Sequence, residues 1–592
     1  MNASVFFSRF NFSLWIDFLH KNRGASIFIF FILCVHTFSE INKNKDLVLQ
    51  GDGLEYVLMT EALDNHLSVD IREQDVLGYK SQIKKFNKWE MESKSADYDN
   101  LLGHLKSRPI VPFANFGGFS NDKDGKCYSI HFYTYSLFVL PIKKLLTPFI
   151  IHPVKVLWYA NALFFLIAIY IVLFFNNNRE FFNACTALLF YYSTTLWYVI
   201  WPQPEALICS LLFIGLWFTF ITDKPYLGLF LCALAATQFQ PLALITGMLA
   251  LKIFFTEGLS VKVLLKLLFC SVIVLAPSAF YYFHFGVTNL VSELGYLDSK
   301  YMTFNRTWGF FFDVNQGLII SFPLLFFIYL SMLVIFLYQW ITQKKWSFFD
   351  FSSLIFPLAI IVVVISTSMA NWNGGGANNH RYVNYVGALL LFHFVYLLWK
   401  LKNNLWQRII LLIALLTQVY TITFFGGLRG ATSYYEDHKS LAKFILNNFP
   451  EYYNPDPWIF IIRTDKVRNM DFYKKGVVYV DDHWDFKKAL IHRDSLNYVQ
   501  LGNLTKDQVM KLIEGKGNEY GCVYINENEV KDILSSQQYL EFNRYVKLNE
   551  IRNEMIVKPD FTDQLKLQSG EDQKRYNELL ENEVWKIYED KF

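Results

Sequence analysis

Long blocks of apolar residues, separated by short polar turns, constrain this chain more than any other feature. Of its 592 residues 53% are hydrophobic and 18% aromatic. The apolar residues are gathered into runs long enough to be read as membrane helices. The first run, Ala25 to Ser39, follows Lys21 and Arg23. With no small-x-small cleavage site and many further runs behind it, it reads as a retained anchor and not as a signal peptide. Further spans are expected near 154–175, 182–199, 205–222, 226–239, 241–256, 263–280, 317–339, 351–369, 383–400 and 407–425, which makes about eleven. The expected fold class is mainly α: a polytopic membrane helical bundle followed by a small α/β domain.

Charge sets the direction. With the N-terminus in the cytoplasm, the inside loops carry Arg179, Lys224, Lys252, Lys262, Lys266, Lys344, Lys345, Lys400, Lys402 and Arg408. The short outside loops carry little beyond Lys300, Arg306 and Arg381. This positive-inside bias holds on both sides of Gln238-Phe239-Gln240-Pro241, so two spans are expected there and not one broken helix. The same topology puts residues 40–151 outside as a long first loop. Within that loop, Tyr133 to Phe149 reads as an interfacial helix.

The membrane domain thus covers 1–425, and 426–592 forms an extracytoplasmic domain. In the latter, strands are expected at Trp458–Ile462, Gly476–Val480 and Cys522–Ile525, and helices at Leu504–Glu514 and Glu529–Tyr539. Such a protein sits as a multi-pass protein in a bilayer, on this pattern a bacterial inner membrane, with its polar clusters and C-terminal domain on the periplasmic face.

Several function classes drop out early. A net charge of +3 with no dense basic patch gives nucleic acid no electrostatic footprint. Five of the seven cysteines lie in apolar runs; Cys127 and Cys522 alone fall in aqueous segments, where a disulfide is conceivable. No spacing suggests structural zinc, and no metal ligands are assigned, although a divalent metal remains possible. Asn121-Asp122-Lys123-Asp124-Gly125 fails as a calcium loop, because Gly125 at the sixth position puts His131 where a bidentate glutamate belongs. It reads as a polar turn. His284 reads as a ligand or, by preference, an interfacial aromatic.

The informative residues fall on one side of the membrane. Asp52, between Gly51 and Gly53, is an unencumbered carboxylate suited to take a proton from an acceptor hydroxyl. Gly-Asp-Gly is equally an ordinary turn. One helical turn on, Glu55 and Tyr56 follow, Glu55 as a second acid/base or metal-binding carboxylate. In Asn371-Trp372-Asn373-Gly374-Gly375-Gly376, three glycines allow close backbone approach, and His380, Arg381 and Tyr382 follow. Arg381 matches a phosphate, or else anchors the chain at lipid headgroups. Glu205, in Trp201-Pro202-Gln203-Pro204-Glu205, and Gln240 border the same face, as does Asn315 in Asp313-Val314-Asn315-Gln316-Gly317. Glu205 could equally serve only its helix N-terminus.

This combination resembles the GT-C superfamily of polytopic membrane glycosyltransferases, relatives of the protein O-mannosyltransferases and the lipid A aminoarabinose transferase. In that family an acidic residue in the first outer loop is the catalytic centre, and Asp52 stands at the corresponding place. Phe312 to Pro323 is similar to a family stretch that runs from Gly-Leu into a helix bearing proline. Trp372-Asn373-Gly374-Gly375 with His380-Arg381-Tyr382 is similar to a Trp-x-Gly-Gly loop ending in Arg-Tyr. The likeness covers about residues 25–425. It departs where Asp52 and Glu55 are three apart and not adjacent, and where Gln316 and Asn378-Asn379 replace Arg or Ser/Gly.

The resemblance implies transfer of a sugar from a polyprenyl-phosphate carrier to a glycan, lipid or protein acceptor on the outer face. Asp52 would be general base, with inversion at the anomeric carbon. Tyr56, Glu205, Gln240, Asn315, Trp372, His380, Arg381 and Tyr382 would bind substrate, and Arg381 with His380 would hold the departing lipid phosphate. Competing readings are a lipid-linked glycan ligase or polymerase, a transporter or flippase, and a scaffold acting through the tail.

Overall fold

The computed structural model describes residues 24–44, 49, 51–86, 95–107, 115–149, 151–176, 179–343, 351–370, 372, 380–401, 405–430, 437–465, 476–493, 501–516 and 521–557. The chain is mainly helical and divides into two compact units, Met1–Tyr435 and Glu436–Phe592.

Among the described residues of the first unit, five helices are long and apolar enough to cross a membrane. They are α1 (Gly24–Lys43), α6 (Pro153–Phe174), α11 (Val261–Phe285), α15 (Arg381–Lys400) and α16 (Leu405–Phe424). Between α1 and α6 lie α2 (Gly53–His66), α3 (Glu73–Lys84), α4 (Ser95–Ser107), the strands β1 (Asn115–Phe116), β2 (Phe119–Asn121) and β3 (Cys127–Ser129), and α5 (Thr134–Leu146). Next come α7 (Glu180–Tyr191), α8 (Glu205–Phe220), α9 (Pro225–Gln238) and α10 (Ala243–Glu257). After α11 the chain forms α12 (Phe304–Phe312), α13 (Pro323–Gln343) and α14 (Ile355–Ser366).

A helix apolar on every face must be covered on every face. α8 is buried at all its positions, and α15 packs against it, itself almost wholly buried. α11 is the opposite case. It is strongly apolar yet presents Leu264, Leu265, Leu268, Phe269, Val272 and Leu275 outward. A surface of that kind is unfavourable against water and natural against lipid.

The expected spans near 205–222, 226–239 and 351–369 form helices shorter than a full crossing. The run 182–199 is no continuous helix. α7 stops at Tyr191, and a 3₁₀ turn over Thr194–Tyr198 leads into an irregular, buried segment that ends at Pro204. Buried irregular backbone must find its hydrogen bonds elsewhere. The Asn161 amide donates to the carbonyls of Trp201 and Gln203 at 2.7 and 3.2 Å, and Asn384 accepts from the hydroxyls of Thr194 and Thr195. Near 317–339, Phe322 breaks the helix and Pro323 restarts it. At Gln238 to Pro241 the chain forms two separate helices, α10 like α9 shorter than a full crossing: Phe239 is extended, Pro241 sits in a 3₁₀ turn, and α9 and α10 pack on one another.

α8 and α9 approach one another closely through Gly215 and Gly228. A Cβ on Gly228 would lie 2.3 Å from the Gly215 carbonyl oxygen and 2.0 Å from Thr219 Oγ1. Gly228→Ala should therefore push the two helices apart and cost about 1–3 kcal/mol, as overpacking does, read as a lower melting temperature in detergent. An unchanged melting temperature would show that the two backbones are not in contact.

The second unit holds an antiparallel sheet in the order β4 (Val477–Val480), β5 (Phe486–His492), β6 (Cys522–Asn526). Ala489 pairs with Val478 on one side and with Ile525 on the other. Its core joins Phe486, Ile491, Val523 and Ile525 to Phe542 of the last described helix. The strand expected at Trp458–Ile462 is instead helical, Pro457–Asp465. Asp456 accepts from the Trp458 N–H and Pro457 opens the first turn, a start signal that outweighs the β-branched run. The helix expected at Glu529–Tyr539 is broken in two, Glu527–Ile533 and Ser536–Val557. β5 was hidden by Lys487-Lys488; Lys488 is wholly buried and gives its ammonium to the carbonyls of Pro450 and Tyr453. All seven cysteines, Cys127 and Cys522 included, are free thiols.

Candidate functional site

Asp52 occupies the N-cap of α2 without using its side chain as a cap. The carboxylate bonds to Arg381 instead, and both neighbouring glycines are pressed onto another segment. Gly51 has φ +51°, and a Cβ there would lie 2.7 Å from Gln203 Nε2; one on Gly53 would lie 2.9 Å from Pro202 Cγ. The Gly-Asp-Gly turn is thus fitted against the irregular run before α8, and only glycine allows that approach.

Arg381 comes to the same place from 329 residues away. Its Nη1 donates to Asp52 Oδ2 at 2.7 Å and to Gln203 Oε1 at 2.9 Å, and lies 3.9 Å from Glu205 Oε1. An arginine in the first turn opposes the helix dipole, so at the head of α15 it needs these acceptors. Glu205 in turn opens α8. Three helices, α2, α8 and α15, begin within reach of one guanidinium, and the positive ends of their dipoles favour anions there.

Glu55, 3% exposed on the inward side of α2, lies beneath the turn between β1 and β2. A Cβ on Gly118 would meet its carboxylate. Ser129 Oγ and His131 Nδ1, the latter at 2.9 Å, bond to Glu55 Oε2, and His131 Nε2 lies 3.6 Å from Asp52 Oδ2. The result is a chain: Glu55, His131, Asp52, Arg381, Gln203.

Burial alone would raise the carboxyl of Asp52, but Arg381 and His131 outweigh it and hold it at about 2. Burial would likewise discharge His131, yet Glu55 and Asp52 lift it to about 9. Glu55 is raised by burial, against the pull of His131. The pairing of Asp52 therefore stabilises the fold above its ordinary value of 3.8 and is lost as pH falls towards 2. That of His131 is complete below its ordinary 6.5 and is lost as pH rises through about 9. The difference in melting temperature between wild type and His131→Gln should be largest near pH 5–6 and shrink above pH 9. A difference that grows with pH would refute a protonated His131.

Comparison with family models, with curated proteins and with solved structures finds no match for this chain.

Tyr56 stands under His131, with ring centroids 5.9 Å apart and an edge-on contact to Tyr135 at 5.2 Å. Tyr382 stacks on Phe239 at 5.2 Å. Gln240 donates to Ser278 Oγ and accepts from Asn289, lining a cavity whose wall includes His131 and Tyr382. The Trp372 and His380 rings lie 4.5 Å apart, tilted by 43°, at the head of α15. His380 accepts from the Tyr382 N–H, and burial, with Arg381 and Arg306 adding to it, holds the imidazole neutral. It is placed to cap α15, not to act as a second cation. Asn315, fully buried, lies in a turn closed by the Asp313 carboxylate; the next residue, Gln316, accepts the His380 N–H on its carbonyl. Residues 371 and 373–379 lie outside the described residues.

Two participants are absent from the sequence reading. Gln203 carries no signal of its own within the Trp-Pro-Gln-Pro-Glu cluster, and His131 stands out in the sequence only as the wrong residue for calcium. The alternation Cys127, Ser129, His131 was the available signal, since period two puts the three on one face. His284 bonds the Asp122 carboxylate at 3.1 Å and lies among Tyr128 and Phe280. Asp122 Oδ1 also closes the polar turn by accepting from the N–H groups of Asp124 and Lys126.

Asp52, Glu55 and His131 each bring a ligand atom within 4.8 Å of the others. Two carboxylates and an imidazole suit a divalent cation, which would require His131 to shed its proton. Such an ion would supply charge stabilisation beside Asp52.

Proposed function

We propose that this chain is a membrane glycosyltransferase that moves a sugar from a polyprenyl-phosphate carrier to an acceptor on the outer face. The observation that carries the reading is the meeting of Asp52 and Arg381, an acid and a cation distant in sequence, where three helices present their N-termini. A phosphate is the anion such a place suits best. Asp52 Oδ2 faces Arg381 and His131, leaving Oδ1 for the acceptor.

In the step proposed, the acceptor oxygen attacks the anomeric carbon as the bond from that carbon to the phosphate oxygen breaks. The acceptor proton goes to Asp52. The lipid phosphate departs with the bonding electron pair and is held by Arg381. A carboxylate held at about 2 is a weak base while Arg381 is bound to it. Arrival of the phosphate draws the guanidinium away and returns Asp52 towards ordinary basicity, so the donor would bind first. The eleven-span topology, with the site and the C-terminal unit in the periplasm, belongs to the same proposal. Glycan analysis of membranes from a deletion strain, complemented with wild type or with Asp52→Asn, tests it. Restoration of the missing glycan by both proteins would refute it, as would reporter fusions that place residue 52 in the cytosol.

A further inference from the structure

Beside the ion pair lies a cavity of about 160 Å³ whose wall is shared with the site through His131 and Tyr382. Its lining contains no Asp, Glu, Lys or Arg among the described residues. The polar groups are amides and hydroxyls. Gln238 donates to the Phe132 carbonyl at 2.8 Å, and its Oε1 is buried with no partner among the described residues. Gln240 and Asn289 are bonded to each other at 3.2 Å, with Gln240 fixed from behind by Ser278 at 3.1 Å. Each amide offers both donors and acceptors and retains unused capacity. Tyr281 and Tyr382 supply aromatic faces. Among the described lining residues the one side chain that carries a charge near neutral pH is His131, and that charge is already met by Glu55 at 2.9 Å and Asp52 at 3.6 Å.

We propose that this cavity receives the glycosyl group and that the group is uncharged: a neutral hexose or N-acylated amino sugar, not a uronic acid, a free amino sugar or a sugar phosphate. The inference rests on the transferase reading above and deepens it. Hydroxyls are satisfied by amides that both give and accept hydrogen bonds, and aromatic faces cover the apolar side of a pyranose ring. A carboxylate or ammonium would be taken from water into a wall without a free counter-charge, which is heavily penalised.

The test uses wild-type protein in lipid nanodiscs without acceptor. Binding is measured for farnesyl-phosphate esters of glucose, mannose and galactose, and of glucuronic acid and glucosamine. At least one neutral ester should bind more tightly than both charged ones by at least about tenfold. A charged ester that binds as tightly as the best neutral one overturns the inference and leaves the transferase reading standing. Should no ester bind, nor farnesyl phosphate itself, the transferase reading falls and this inference with it. Gln240→Glu supplies an independent arm. Asn289 and Ser278 can both donate to the new carboxylate, and affinity for the glucosamine ester should rise relative to the glucuronic ester by about tenfold. An unchanged ratio would show that the sugar does not lie against Gln240.

Discussion

Asp52→Asn should lower the rate of transfer by about 10²–10⁴-fold, the usual contribution of a positioned general base, and leave the protein folded. The substitution preserves shape, so Gly51 and Gly53 keep their fit against Pro202 and Gln203, and an asparagine oxygen can still accept from Arg381 Nη1. A quarter of the Asp52 side chain is exposed. Solvent screening therefore limits the lost ion-pair energy to about 1 kcal/mol. Initial rates and thermal melting on the same preparation separate the two effects. Glu55→Gln gives the contrast. Glu55 touches His131 and Ser129 and does not contact Arg381 in the described bonds. Its loss should act through His131 and alter the pH profile more than the rate at neutral pH. Transfer by Asp52→Asn at the wild-type rate would remove Asp52 from the chemistry.

How much of this was legible beforehand follows from what kind of signal each element carries. Helical apolar runs are local, and α6, α11, α15 and α16 announce themselves by composition. The segment from Ser193 to Pro204 does not, because its run of aromatic and aliphatic residues looks like a span. What prevents one is capture of its backbone by Asn161 and of its hydroxyls by Asn384, which come from two other helices. Asp52 and Arg381 were legible as types of residue in suggestive turns. Their union was not, since nothing local joins positions 329 apart. His131 escaped notice for the same reason in a sharper form. An isolated histidine in a short strand-like alternation carries little weight until a hairpin folds it onto Glu55. The glycines also changed meaning: Gly51 and Gly53 looked like turn formers, and their close approach to Gln203 and Pro202 seats the turn that carries the carboxylate. In the second unit, an N-cap and a proline decided Pro457–Asp465 against its strand-like composition.

Arg381→Ala should be the most damaging single substitution in the site, and the manner of its damage discriminates between readings. Without the guanidinium, Asp52 and the 2% exposed Glu205 side chain are left, among the described residues, with no cation beyond His131. Removing one member of a buried pair costs about 3–5 kcal/mol, and partial exposure of Asp52 brings the expected loss to about 2–3 kcal/mol. Transfer should fall by more than about 10³-fold, because the same cation is asked to hold the departing phosphate. Arg381→Lys keeps the charge but replaces a planar fork with a single ammonium, which can pair with Asp52 but cannot grip a phosphate through two parallel N–H groups; it should recover stability more fully than rate. A double-mutant cycle with Asp52→Ala makes the distinction sharp. If the ion pair exists in the membrane, the double variant should be more stable than the sum of the single losses predicts, with a coupling of about 1–3 kcal/mol, and should remain inactive. In wild type, release of Arg381 to the donor also predicts that the acid limb of kcat lies at higher pH than that of kcat/KM for the donor, moving from about 2 towards 3.8. Additive stabilities, or acid limbs at the same pH, would mean that Arg381 and Asp52 do not exchange partners during turnover.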